Sequence, residues 1–234
     1  MSAPTALGPT ALGLTPYVRQ AREHPAYRWW RLPVAGIIAI PLFFVTSMAV
    51  VAACWAAAPG PVGAFMESAE LELNARSHPA ILILALGSIA VMLPCIWIAI
   101  LIAGPRPVGH LSSVYGRLRW AWMLRTLVAA LVIWVGSILF LTLVLDPTPV
   151  TMPSRSTMIG IAIMLAFTPF QAAAEEYVFR GYLMQLVGSW TTWVWVPVVV
   201  SVPLFAFANG YSRWGTVDVA IFGLTAAVLA IRTG

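Results

Sequence analysis

The sequence predicts an all-α fold, a polytopic transmembrane bundle of about six helices. Of the 234 residues, 61% are hydrophobic and 9% are charged, and the mean hydropathy is +0.89. Soluble domains carry about 25% charged residues. The apolar residues are grouped into long uncharged blocks, and a block of roughly 20 such residues is typical of a membrane-crossing helix. The lipid bilayer is therefore the first expected partner.

Six apolar blocks are the candidate spans. In chain order they cover residues 33–58, 79–104, 122–145, 156–174, 190–209 and 214–232. The last block has the shortest charge-free stretch because Asp218 interrupts it. Prolines inside the blocks predict kinks and not helix ends, since neighbouring groups in a membrane can satisfy the freed carbonyls. These prolines are Pro41, Pro94, Pro169, Pro197 and Pro203.

Residues 1–32 are predicted to form a cytoplasmic tail that is disordered over its first 16 residues, followed by a single membrane domain at 33–234. The tail ends in Trp29, Trp30 and Arg31, a combination typical of the membrane interface. A cleaved signal peptide is the alternative, but the first apolar block and the region before it are both too long for one. An uncleaved first helix is favoured.

The arginines indicate the orientation of the chain. All 13 basic residues are arginine, and they lie at the ends of the blocks rather than in a basic stripe with aromatic residues. Nucleic acid is therefore not an expected partner. Positive loops favour the cytoplasmic side, so we expect a cytoplasmic N-terminus in a bacterial-type cell membrane. The arginines that carry this prediction are Arg19, Arg22, Arg28, Arg31, Arg106, Arg117 and Arg119.

The stretch 171–185, QAAAEEYVFRGYLMQ, concentrates charge at the end of an apolar block. A helix that enters near Ser156 places Glu175 about 28 Å along its axis, near the inner edge of a hydrocarbon core about 30 Å thick. The composition predicts that the helix continues through Met184. Glu176 and Arg180, four residues apart, can pair on one face, whereas Glu175 is rotated by about 100° and stays freer.

Two interpretations of these charges stay open from the residue types alone. They can be a charged cap that reaches the lipid headgroups. They can also be a functional site, since a carboxylate held away from bulk water is a candidate general base for a water molecule.

The motif EEYVFRG at 175–181 resembles the E-E-x-x-x-R motif of the CPBP family, which comprises the type II CAAX prenyl endopeptidases and bacteriocin-processing relatives. LFAFANGYSRWG at 204–215 occupies the place of the family's F-x-x-x-H motif. The apolar stretch at 219–234 is similar to the helix that leads to the last family motif. The resemblance covers about residues 156–234, while the upstream helices match only as generic spans.

The resemblance implies an intramembrane endopeptidase that hydrolyses peptides or membrane proteins. Glu175 would activate the water, and Glu176 and Arg180 would hold the site in shape. The second motif would begin at Phe205, which together with Tyr182 is a candidate substrate contact, although core packing is the simpler role for Tyr182. Prenylated substrates are not assumed.

The second motif departs from the family because Asn209 stands where the family has histidine. An amide cannot accept a proton near neutral pH and is a poor zinc ligand. The three histidines, His24, His78 and His110, lie in the tail or loops and are not expected to replace it. The sequence requires no cofactor, and a divalent metal such as zinc is implied only by the family's metalloprotease description.

The third family motif has no counterpart before Gly234, so the sequence is expected to be truncated and its activity is in doubt. The alternative is therefore a catalytically impaired member that acts as a peptide-binding, immunity or scaffolding membrane protein. A transporter is a third possibility, but it would be expected to show internal repeats, and none is detected.

Other conspicuous residues have simpler interpretations. Cys54 and Cys95 are expected to be buried and apolar in character. The tryptophans before the fifth block are expected at the membrane interface. Asp218 is the exception, because it is acidic, lies near a membrane face and is close in sequence to Asn209.

Overall fold

The computed structural model describes residues 16–67, 78–104, 108–145, 152–210 and 212–234. Across these ranges the chain is helical and contains no strand, which confirms the all-α prediction. The predicted disorder of the N-terminal tail falls almost wholly on residues outside the described ranges, and Arg106 lies outside them too.

Seven helices form the body of the described chain. In order they are α1 (Arg31–Ala57), α2 (Pro59–Glu67), α3 (Pro79–Ala103), α4 (Trp120–Leu145), α5 (Arg155–Gly188), α6 (Trp195–Ala208) and α7 (Arg213–Thr233). Five of them, α1, α3, α4, α5 and α7, are long and apolar enough to cross a bilayer. The chain is a multi-pass membrane protein.

One predicted boundary was confirmed and one was wrong. The span predicted at 156–174 is the first part of α5, which continues to Gly188 and confirms that the helix runs past Met184. The span predicted at 190–209 is only α6, whose 14 residues rise about 21 Å and are too short to cross a bilayer alone. A turn precedes α6, where the Thr191 hydroxyl accepts a hydrogen bond from the Trp193 N–H at 3.1 Å.

Proline affects the helices differently at different positions. α3 is interrupted at Val91, three residues before Pro94. Proline lacks an N–H and its ring collides with the carbonyl four residues earlier, so the irregular turn at Val91 follows from Pro94. By contrast, α1 continues through Pro41 and α5 through Pro169.

The first half of the bundle is built from α1, α3 and α5. α1 packs along both halves of α3, and the first part of α5 packs on the first half of α3. Near the end that holds the start of α1, the Tyr182 hydroxyl of α5 donates a hydrogen bond to the Leu32 carbonyl at 2.8 Å. Gly36 lies directly against that hydroxyl, where a larger residue would collide.

The N-terminal segment from Pro16 covers this same end of the bundle. The Tyr17 hydroxyl donates to the Leu111 carbonyl at 2.8 Å, and Arg22 donates to the Ser189 carbonyl at 3.2 Å. At this end the Val114 N–H also donates to the Gly234 carbonyl at 3.3 Å. The N-terminal segment, the loop before α4 and the ends of α5 and α7 therefore meet at one face.

α4 stands apart from this core. None of its described side chains is buried, and apolar residues dominate it beyond Arg125, which lies near its start. A helix that exposes apolar side chains on all sides and has no packed face is suited to contact with lipid. Cys54 and Cys95, in contrast, are buried free thiols, as expected.

We expect Tyr182→Phe to lower the free energy of unfolding by about 0.5–1.5 kcal/mol, because it removes one buried hydrogen bond to Leu32. Tyr115→Phe is the matched control, since Tyr115 is 69% exposed. Thermal unfolding of both variants in detergent measures the difference. Equal unfolding temperatures for the two variants would contradict the assigned role of the Tyr182 hydroxyl.

Candidate active site

A cleft of about 560 Å³ lies between α5, α6 and α7. Its polar lining joins the two motifs found in the sequence, because Glu175 comes from the first and Asn209 from the second. Asp218 of α7 lines the same space. Among the described residues, the lining is Gln171, Glu175, Phe205, Asn209, Asp218, Val219, Ile221 and Phe222.

The antiparallel course of α5 and α6 explains why the two motifs meet. Glu175 lies roughly 20 Å from the end of α5 at Gly188, and Asn209 lies roughly 20 Å from the start of α6 at Trp195. Because a short turn connects those two ends, equal distances along the helices bring the residues to one level. Asp218 lies a similar distance from the end of α7, which returns to the same face.

Glu175 is partly exposed and faces the cleft. Its Oε1 accepts a hydrogen bond from Gln171 Nε2 at 3.2 Å, one helical turn away. Within the described ranges no ion pair to Glu175 is formed. One carboxylate oxygen is therefore held by Gln171, while the group as a whole keeps access to the cleft.

Glu176 and Arg180 form the predicted ion pair, with Glu176 Oε1 3.1 Å from Arg180 Nη1. The Arg180 side chain is 4% exposed and that of Glu176 is 44% exposed, so the pair connects the protein interior to its surface. Both residues lie in an eight-residue π-helical segment, Glu176–Leu183. Such segments are rare and occur frequently at functional sites.

Arg180 also stacks on the second motif. Its guanidinium carbon lies 4.0 Å from the centre of the Phe205 ring, a cation–π geometry. The Phe179 ring meets the same Phe205 ring edge-on at 5.2 Å, and the Ser201 hydroxyl donates to the Phe179 carbonyl at 3.0 Å. Phe205 therefore forms a buried wall of the cleft and connects α6 to α5.

Asn209 lies immediately after α6 and is partly buried. Its Nδ2 donates to the Phe205 carbonyl at 2.9 Å. That bond uses the N–H side of the amide and leaves the carbonyl oxygen as the group that can accept from a ligand or water.

Asp218 was singled out in the sequence for its proximity to Asn209, but its position in the same cleft as Glu175 was not predicted. Its side chain is exposed and forms part of the cleft. The sequence feature that could have identified Asp218 as a site residue is a carboxylate within an apolar helix, since ionisable residues in membrane helices are usually functional.

Other predicted residues lie outside the cleft. Tyr182 and Met184 are buried in the helix core, in the packing role that was the alternative for Tyr182. The three histidines do not line the cleft. His78 instead caps α3, where its Nδ1 accepts from the Ala80 N–H at 3.2 Å.

The donors at the cleft do not fit a zinc site. They are two carboxylates and two side-chain amides, whereas zinc sites in proteins depend on histidine or cysteine with carboxylates in support. Across the described residues no three His, Cys, Asp or Glu side chains come together as metal ligands.

A second cavity of about 390 Å³ lies between α1, α3 and α5. It is lined by apolar side chains together with the Cys54 thiol, and Phe167 and Phe170 form its α5 wall. It holds no acid, base or amide side chain that could activate water. The polar cleft is therefore the candidate active site.

The family model described as Type II CAAX prenyl endopeptidase Rce1-like matches residues 156–234. The chain is similar to that family over this C-terminal third, the Rce1-like region. No curated protein and no solved structure matches the chain. The matched residues include the described cleft lining, whereas α1, α3 and α4 lie before the match. The match therefore indicates a likeness to CAAX-type proteases at family level.

Gly223 tests the contact between α7 and the Arg180–Phe205 stack. A Cβ at this position would lie 3.0 Å from Phe205 Cδ1 and 3.5 Å from Arg180 Nη2. We expect Gly223→Val to lower the free energy of unfolding by about 1–3 kcal/mol, because overpacking displaces the ring.

Gly136→Val on α4 is the matched control, since a Cβ there has no neighbour within 4 Å. Thermal unfolding in detergent compares the two variants. An equal loss in both would mean that α7 does not press on the stack.

Proposed function

We propose that this chain is an intramembrane endopeptidase that hydrolyses peptide bonds in membrane-associated substrates. The observation that supports this most is the cleft, which gathers Glu175, Asn209 and Asp218 from three helices of the Rce1-like region. A polar cleft between apolar helices offers a place where water and a peptide bond can meet inside the membrane.

Glu175 is the general base in this proposal. It takes a proton from a water molecule while the water oxygen forms a bond to the carbonyl carbon of the peptide. The C–N bond then breaks, and the leaving nitrogen receives a proton from a carboxylic acid in the cleft. The products are a carboxyl group and an amine, and no metal ion takes part in any step.

The remaining motif residues position this base. The Arg180–Glu176 pair fixes the π-helical segment that starts directly after Glu175. The stack of Arg180 on Phe205 holds α6, and through it Asn209, beside α5. The Asn209 carbonyl oxygen can then accept a hydrogen bond from the attacking water and orient it, although it cannot remove the proton.

The orientation that we propose places the N-terminal face in the cytoplasm of a bacterial-type cell. That face gathers Arg19, Arg22, Arg28, Arg31, Arg117, Arg119 and Arg232, while Arg155 and Arg213 begin helices at the opposite face. An excess of arginine marks the cytoplasmic side. Glu175 lies roughly 10 Å deeper than Tyr182, whose hydroxyl contacts the first turn of α1.

We expect Glu175→Gln to reduce peptide cleavage by at least about 100-fold, because it removes the general base and keeps the size of the side chain. The assay uses the purified chain in detergent and a quenched fluorogenic peptide with an apolar, membrane-length segment. Glu67→Gln is the matched control, since Glu67 ends α2 and lies outside the cleft lining. Equal cleavage by Glu175→Gln and the parent would remove Glu175 from the mechanism.

Asn209 favours one second function, a catalytically impaired family member that binds a peptide without cutting it. The amide occupies the position of the motif histidine and cannot accept the proton of the water. A binding protein would need the shape of the cleft but not its base.

Asn209→His separates the two functions. For an endopeptidase we expect the parent to cleave the fluorogenic peptide and the histidine variant to cleave it faster, because imidazole adds a second proton acceptor. For a binding protein, the parent would bind the peptide by fluorescence anisotropy while its cleavage stays at the level of Glu175→Gln. Asn209→Gln, an amide of similar chemistry, serves as the control.

A further inference from the structure

Asp218 is a carboxylate on a membrane-spanning helix with no basic partner among the described residues. α7 is a candidate span, and the Asp218 side chain is exposed on it. The ion pair formed within the described ranges joins Glu176 to Arg180 and leaves Asp218 out. Asp218 lies about 7.5 Å along α7 from its start at Arg213, and a carboxylate within a membrane helix is costly unless it faces water or a partner. Because Asp218 is exposed to the cleft, water in the cleft can solvate its carboxylate.

The other charged groups around the cleft do not neutralise Asp218. Arg180 of α5 is buried, paired with Glu176 and stacked on Phe205. α6 carries no charged residue, and α7 itself contributes Arg213 at its first turn and Arg232 at its last. Among the described residues of the cleft lining, the charged groups are therefore the carboxyls of Glu175 and Asp218, and Asn209 adds a neutral amide.

We infer that Asp218 is a second catalytic carboxyl group, which supplies the proton transfer that Asn209 cannot perform. This inference rests on the proposed endopeptidase function. Both carboxyl groups line one cleft, so one of them can act as the base and the other as the acid of a single reaction.

One catalytic turnover returns both carboxyl groups to their starting protonation states. Ionised Glu175 takes a proton from water as the water oxygen bonds to the peptide carbonyl carbon. Protonated Asp218 gives its proton to the amide nitrogen as the C–N bond breaks, so the amine leaves neutral. Afterwards Glu175 is protonated and Asp218 is ionised, and transfer of that proton through cleft water restores the starting state.

The test measures kcat and KM of Asp218→Asn and Asp218→Glu from pH 5 to pH 9, with the purified full chain and the fluorogenic peptide. Asparagine keeps the size and polarity of the side chain but cannot donate an acidic proton, so we expect kcat to fall about 100-fold while KM stays within about twofold.

Asp218→Glu, which keeps the carboxyl group, should retain at least a tenth of the parent kcat, which a purely structural role would not predict. Thermal unfolding of all variants checks that the fold is intact, and Glu67→Gln is again the neutral control. If Asp218→Asn retains kcat within threefold, the inference is overturned while the endopeptidase function stands. If the parent cleaves no faster than Glu175→Gln, both are overturned.

Discussion

Arg180 carries a positive charge at a place where its residue is only 3% exposed. A charge buried in that way is tolerated only with a partner, and Glu176 and the Phe205 ring supply an ion pair and a cation–π contact. Since Gly223 of α7 lies close to the same guanidinium, the contact joins α5, α6 and α7. The cleft lies between these three helices, so its shape depends on this one side chain.

The π-helical segment lets one stretch of α5 serve both halves of the bundle. Tyr177 meets the ring of Trp97 on α3, and its hydroxyl is hydrogen-bonded to Ser112. Tyr182 reaches α1, while Arg180 points to α6 and α7. The wider π-helical turns present these side chains to different neighbouring helices. The motif therefore packs both halves of the bundle together and also positions Glu175 at the cleft.

The sequence predicted the features that depend on the local order of residues, namely the bounds of most apolar helices and one ion pair within a helix. Charge-free length predicted α1, α3, α4 and α7 closely, and the spacing of Glu176 and Arg180 predicted their ion pair. It did not predict the short α6, the π-helical segment or the meeting of Glu175 with Asp218. Those features depend on contacts between helices, because a hydropathy pattern gives the length of an apolar block but not which residues of three helices share one level.

Carboxyl groups without a basic partner have a free-energy cost within a membrane protein, and this cost favours a catalytic role over a structural one for Glu175 and Asp218. Arg180 and Glu176 stabilise the bundle as a pair, so packing alone accounts for them. Glu175 is held by one amide hydrogen bond, and Asp218 has no cation beside it within the described chain. A scaffold would be more stable with apolar residues at both positions, since intramembrane carboxyls are costly. Proton transfer to and from water gives both groups a function, and it requires the hydrated cleft in which they lie.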